Sequence, residues 1–267
     1  MKFLILNKKN SIFLLTILLI LIFSICYITN LVFISKNIST QTSSNNLELH
    51  STEEFKKRVF NLINQEEKTA YLTFDDGPTK KATNKILDIL KEENVRATFF
   101  VLGKHVKENP DITRRAFEEG HYIANHGYSH NNNKLYKRSE SFISEIKETD
   151  KEISKALRIE NYNSHVFRFP NGYMASEYKS KKQEYAKLLE ELDYTYIDWN
   201  ALNKDSEKKY TNAELLNNLK ESTKNKGTLV ILMHDTNDVN DTTNVLKDSI
   251  KYLREQGYTF KNFYDLK

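Results

Sequence analysis

Cysteine is all but absent from this 267-residue chain: it occurs once, at Cys26, inside a long apolar run. The rest of the chain therefore forms no disulfide and offers neither a thiol nucleophile nor a Cys-ligated zinc site, which excludes the cysteine hydrolases. Cys26 is read as a membrane-embedded bystander, because Phe23-Ser24-Ile25 before it is a poor match to a lipidation signal. Net charge is also missing where a polyanion would need it. The formal charge is +4, but residues 1–36 hold four lysines and no acid, which leaves 36 basic against 36 acidic residues in the remainder. A balanced body is not the electrostatic footprint of a nucleic-acid binder, so no nucleic-acid partner is expected. No internal repeat or low-complexity segment marks that body, and no obligate protein partner is inferred.

What is present begins with the apolar run itself. Ser11 to Ser35 is 25 residues without a charge, and as a helix it would span roughly 37 Å, enough for a hydrocarbon core of about 30 Å. Lys2, Lys8 and Lys9 precede it and only Lys36 follows closely, so the positive-inside rule puts the N-terminus in the cytoplasm and the rest outside. No Ala-x-Ala-like cleavage site follows, which favours an uncleaved anchor over a signal peptide. The expected organisation is a cytoplasmic N-terminus at 1–10, a transmembrane anchor at 11–35, a stalk at 36–68 and a catalytic domain at 69–267. The stalk opens on a polar stretch too poor in apolar residues to bury a core, with Glu53 to Asn64 as a short helix. The expected location is the cell membrane, single-pass, with the catalytic domain extracellular, or secreted if the N-terminal segment is cleaved.

From Thr69 onward, short β-branched or aromatic runs alternate with longer amphipathic ones, the pattern of repeated βα units around a parallel sheet. Strands are expected at 69–74, 97–102, 121–124, 165–168, 194–198, 228–233 and 258–261. Helices are expected at 82–92, 139–157, 179–192, 212–224 and 240–256. The fold class is α/β, a distorted or incomplete (β/α) barrel with about seven parallel strands. Asp75, Asp76, Arg168, Asp198 and His234 fall just after strand ends, and barrel enzymes build their sites from the loops at the carboxyl ends of strands.

The motif Thr73-Phe74-Asp75-Asp76-Gly77-Pro78 and, about fifty residues later, His126-Gly127-Tyr128-Ser129-His130 supply one carboxylate and two imidazoles at metal-ligand spacing, with a second carboxylate left over. That surplus points to hydrolysis by an activated water. Alone, an aspartate pair before Gly-Pro is an ordinary turn signal, and a lone His-x-x-x-His is more often a solvated helix face. Their conjunction, in order and with three further segments, reverses those odds. The further segments are Arg168-Phe169-Pro170, Asp198-Trp199 and Leu232-Met233-His234.

These five segments together resemble the polysaccharide deacetylase family, the carbohydrate esterases with the NodB homology domain (carbohydrate esterase family 4), over roughly Thr69 to Lys267. The resemblance implies a divalent metal and removal of acetyl groups from N-acetylated sugars. It implies that Asp76, His126 and His130 bind the metal, that Asp75 is the general base and that His234 is the general acid. A hard oxygen and two imidazole nitrogens suit zinc, with cobalt, nickel or manganese as alternatives. The resemblance also implies that the backbone N–H of Asn171, just after Arg168-Phe169-Pro170, holds the oxyanion. Arg168 is expected beside Asp75, keeping it ionised, and Asp198 beside His234, with Arg96 pairing with Asp198. Leu232 and Trp199 are expected to wall the pocket for the acetyl methyl group. His50, His105, His121 and His165 are assigned no function, and Lys179-Ser180-Lys181-Lys182 is read as the solvated start of a helix. Gly127 departs from the family pattern, which has serine or threonine there.

The expected activity is metal-dependent N-deacetylation of an extracellular glycan, with N-acetylglucosamine of bacterial peptidoglycan as the first reading. N-acetylmuramic acid, chitin-like oligosaccharides, exopolysaccharide and O-acetylated xylan remain alternatives within the enzyme class. A non-catalytic wall-binding module is the alternative from another class. A glycosidase is disfavoured, because its carboxyl groups must stand about 5 to 9.5 Å apart on opposite sides of the scissile bond.

Overall fold

The longest strand, Thr69–Asp75, is buried at all seven positions, as a strand with neighbours on both edges and packing on both faces must be. A computed structural model describes residues 52–236 and 241–267. In chain order the strands are β1 (Thr69–Asp75), β2 (Thr98–Val101), β3 (Tyr122–Asn125), β4 (Val166–Phe167), β5 (Thr195–Tyr196), β6 (Ala201–Leu202), β7 (Leu229–His234) and β8 (Thr259–Phe260). They pair in parallel in the order β5-β4-β3-β2-β1-β7-β6, with β8 beside the first residues of β1. Among the described residues β5 and β6 do not pair with each other, so the barrel stays open.

Strand alternation sorts side chains between two cores. Ala70, Leu72 and Phe74 of β1 face outward into a core shared with Phe99, Ile123, Ile231 and Met233 and with the surrounding helices. Tyr71 faces inward with Phe100, Tyr122, Val166, Val230 and Phe263. The same alternation turns Thr73 and Asp75 into the barrel. Arg168 directly follows β4, three strand positions from β1, which is about 14 Å across a flat sheet. Its Nη1 nevertheless lies 2.8 Å from Asp75 Oδ1. Only a sheet curled towards closure brings those two together.

The helices are α1 (residues 52–60), α2 (Ala82–Glu92), α3 (Gly103–Glu108), α4 (Pro110–Glu118), α5 (Asn132–Leu135), α6 (Ser139–Leu157), α7 (Lys179–Glu191), α8 (Asn212–Thr223) and α9 (Thr243–Glu255). All seven expected strands are present. β6 is an addition, and so are the short helices α3, α4 and α5.

The stalk boundary is corrected. The compact unit starts at Thr52, and Phe55, Val59 and Leu62 are buried in the interior cluster at the base of the barrel. Their spacing makes an apolar helical stripe, which the many charges around it obscure in the sequence. The anchor expected at 11–35 lies outside the described residues. Among those described, no helix is long and apolar enough to cross a membrane.

Candidate active site

β1 ends with two carboxylates that part company. Asp75 continues the alternation inward, whereas Asp76 turns left-handed at φ 78°, its N–H donating to Phe100 O at 3.2 Å. His105 Nδ1 lies 2.6 Å from the Asp76 carbonyl and donates to it, so this histidine, assigned nothing from the sequence, braces the turn. Gly77 is obligatory in this packing: a Cβ there would stand 1.8 Å from Asp235 Oδ2. The buried Asp235 accepts the Thr83 hydroxyl at 2.7 Å. Burial lifts its carboxyl to about 7, with Asp76 and Asp75 adding to the rise against the Thr83 and Gly77 hydrogen bonds.

His126 follows β3. Its Nδ1 lies 2.8 Å from the Arg168 carbonyl, and donation to that oxygen leaves Nε2 as the free nitrogen. His126 Nε2 is 3.4 Å and His130 Nε2 3.5 Å from Asp76 Oδ1. Two ligands about 2.0–2.1 Å from a shared tetrahedral ion stand about 3.4 Å apart. Asp76 Oδ1 is shielded from solvent and has no hydrogen-bond partner. An orphaned carboxylate oxygen facing two imidazole nitrogens fits a divalent cation, and Asp76, His126 and His130 form the one such group among the described residues. Burial works to raise the Asp76 carboxyl, but the facing His126 imidazole, with the His130 and His234 charges, holds it well below the carboxylate range. Burial and the His126 charge push His130 down.

Asp75 lies beside this group, its Oδ2 3.8 Å from His126 Nε2. Arg168 Nη1 donates to Asp75 Oδ1 at 2.8 Å and to Thr73 Oγ1 at 2.7 Å. Nε donates to the Ile197 carbonyl at 3.1 Å and Nη2 to the Asp198 carbonyl at 3.2 Å. The guanidinium carbon sits 3.9 Å over the Phe100 ring. A fully buried charge is tolerable only with a carboxylate partner and several such hydrogen bonds.

β7 delivers His234 next to Asp75, its register partner. Asp205, not Asp198, is its carboxylate: Asp205 Oδ1 lies 2.7 Å from His234 Nδ1, and Oδ2 accepts the His234 N–H at 2.8 Å. The Thr242 hydroxyl also donates to Asp205 Oδ2. Burial opposes the imidazolium, but the Asp205 hydrogen bond and charge, with Asp75 and Asp76, lift His234 to about 9. Asp205 was missed because β6, the strand before it, was not among those expected. Its position just beyond a strand's carboxyl end is the signal that points to it.

Asp198 has another task. Its carboxylate accepts the N–H groups of Tyr173 at 2.8 Å and Met174 at 2.9 Å, holding the loop that follows Pro170. In that loop Asn171 (φ 64°) and Gly172 (φ 80°) are left-handed, and a Cβ on Gly172 would stand 2.8 Å from the Trp199 ring. From the other side Lys182 Nζ donates to Gly172 O at 2.6 Å. Lys182 is 1% exposed, so the reading of its run as solvated is corrected for this residue. Arg96 does not reach Asp198 either: it pairs with Asp265 at 2.6 Å. It precedes β2 and so sits at the amino end of the strands, opposite the site. Leu232, 6% exposed, lies two residues before His234 and shares its inward face, and Trp199 packs partly buried on the interior cluster.

The profile of a family described as polysaccharide deacetylase matches residues 63–197. The chain is 32% identical to the peptidoglycan-N-acetylmuramic acid deacetylase PdaA of Bacillus subtilis, over 78% of this chain and 74% of that protein. It is 32% identical to a peptidoglycan-N-acetylglucosamine deacetylase of Bacillus cereus, over 75% of this chain and 71% of that protein. Among solved structures, a Streptococcus mutans CE4 esterase matches with a TM-score of 0.69 at 30% identity, covering 78% of this chain and 90% of the other.

Proposed function

The chain belongs to the polysaccharide deacetylase family and is an amide-bond hydrolase, an N-deacetylase; from that premise we propose that it deacetylates N-acetylglucosamine residues of peptidoglycan outside the cell. The observation that carries this reading is the convergence of Asp76, His126 and His130, with Asp75 and His234 beside them. Asp76, His126 and His130 hold the divalent ion, zinc in the first instance. Bound there, the ion supplies Lewis-acid polarisation of the amide carbonyl and a water of lowered pKa.

The side chains divide the remaining work. Asp75, oriented by Arg168, accepts the proton of the attacking water. The N–H of Asn171 donates to the developing oxyanion, on a loop that Asp198 and Lys182 hold in place. Asp205 favours the protonated form of His234, the form a general acid needs. With Nδ1 tied to Asp205, Nε2 is the atom that gives its proton to the departing nitrogen. Leu232 and Trp199 form the apolar wall for the acetyl methyl group.

The choice of polymer follows the curated relatives, which are named for peptidoglycan sugars of both kinds. The location follows the lysine-flanked apolar run at 11–35, because the polymer lies on the far side of the membrane from those lysines. Mass spectrometry of purified muropeptides incubated with the full chain in detergent tests the reading. Loss of one acetyl group from the glucosamine residue is expected. Loss from muramic acid alone moves the assignment to the other sugar, and acetate release only from chitin-like oligomers or xylan contradicts peptidoglycan as the substrate.

A further inference from the structure

The turn between the two imidazoles belongs to no helix or strand. It opens and closes on left-handed residues, Gly127 (φ 82°) and His130 (φ 55°), so no sheet ladder takes up its amides. One side chain from α6 takes them up. Glu145 Oε2 accepts the N–H groups of Tyr128 at 2.8 Å and Ser129 at 2.7 Å. Its Oε1 accepts the Ser129 hydroxyl at 2.8 Å and pairs with Lys134 Nζ at 2.9 Å. The side chain has 0% exposure, a costly place for a carboxylate unless every lone pair is used on charged or strongly polar donors. Four donors converge on it.

The start of the turn is tied to the same helix. Asn125 Oδ1 accepts the Gly127 N–H at 2.8 Å, and Asn125 Nδ2 donates to Ile146 O at 3.1 Å and to Asp150 Oδ1 at 2.9 Å. Glu145 Oε2 passes 3.7 Å from where a Cβ on Gly127 would stand, so the carboxylate runs close beneath the backbone. A glutamine at 145 would have a single acceptor oxygen. Its NH2 would then face either the two turn amides or the lysine and serine donors.

We propose that Glu145 is a positioning residue for the metal site, a buried carboxylate that sets the distance between His126 and His130 by holding the amides between them. It touches no ligand atom and binds no ion. The inference rests on the reading of Asp76, His126 and His130 as metal ligands. Groups that fix ligand orientation from behind typically govern metal affinity by about 10- to 100-fold.

The test strips the full chain with a chelator and titrates it with zinc by calorimetry, and with cobalt by visible absorption. Amide hydrogen exchange at Tyr128 and Ser129 is followed in the metal-free state. Glu145→Gln, shown folded by circular dichroism, is expected to bind zinc about 10- to 100-fold more weakly than the wild type. Its cobalt spectrum should be altered and its two turn amides should exchange faster. Wild-type zinc affinity together with a wild-type cobalt spectrum in Glu145→Gln overturns the proposal, even if the melting temperature falls. Should Glu145→Gln not fold, Ser129→Ala removes one of the four donors: a several-fold loss of zinc affinity at unchanged melting temperature supports the proposal, and an unchanged affinity overturns it. Failure of the wild type itself to take up zinc or cobalt instead removes the functional reading beneath it.

Discussion

Asp205 and His234 are joined twice, ring to carboxylate at 2.7 Å and backbone amide to the same carboxylate at 2.8 Å. The double link fixes both the charge state and the direction of the imidazole. Asp205→Asn keeps the shape and removes the charge, so the histidine should lose its proton at lower pH. At pH 8, kcat is expected to fall about 100-fold, the lower end of what a positioned general acid contributes. The alkaline limb of the rate profile should move to lower pH, which steady-state kinetics from pH 6 to 10 would check.

The same link makes stability depend on pH. The folded-state value of His234, about 9, lies above the unfolded value near 6.5. The stabilisation from protonated His234, to which Asp205 contributes with Asp75 and Asp76 adding to it, is therefore complete below about pH 6.5 and is lost as pH rises through about 9, on the order of 3 kcal/mol in all. Denaturant unfolding of metal-free protein should show the wild type losing stability relative to Asp205→Asn across that window. Parallel pH dependence in the two proteins would argue against the pairing.

Asp75→Asn should separate chemistry from metal binding. The variant keeps Asp76, His126 and His130 and should take up zinc with affinity near that of the wild type, while acetate release falls at least about 100-fold. Arg168 would lose the carboxylate that balances a guanidinium with 0% exposure. Breaking a buried pair from one side costs about 3–5 kcal/mol, and the asparagine oxygen should bring the loss to the low end of that range. Thermal unfolding beside calorimetry reads both.

Arg96 and Asp198 should behave as unrelated residues. Arg96→Ala removes a half-exposed ion pair with Asp265, worth about 0–1 kcal/mol, and should leave kcat and KM unchanged. Asp198→Ala frees the amides of Tyr173 and Met174 and loosens the loop bearing Asn171, so kcat should fall about 10- to 100-fold. A coupling energy near zero in the double variant would complete the distinction.

Asp75, Asp76, His126 and His234 could be read from the sequence because each sits at or directly after the end of a strand of four residues or more, whereas His130 and Arg168 were legible through the His126-Gly127-Tyr128-Ser129-His130 spacing and the Arg168-Phe169-Pro170 segment. The long helices α2 and α6 could be read from apolar periodicity over three turns or more. Asp205 could not, because no strand was expected ahead of it and the nearby Asp198-Trp199 offered a more conspicuous pair. Lys182 and Glu145 were hidden for a different reason. Their charges suggest solvent, and only tertiary packing shows that each is buried against backbone groups of a loop it holds. The burial of Phe55, Val59 and Leu62 in the interior cluster was likewise masked by the lysines and glutamates around them.

The central claim is that Asp76, His126 and His130 hold the ion on which deacetylation depends. The most direct measurement is acetate release from purified peptidoglycan by the full chain, before chelation, after it and after zinc is restored. Release should stop on chelation and return with zinc in the wild type, and should not return in Asp76→Ala. Release that persists in the thoroughly chelated protein, or that zinc restores equally to Asp76→Ala, would contradict the account.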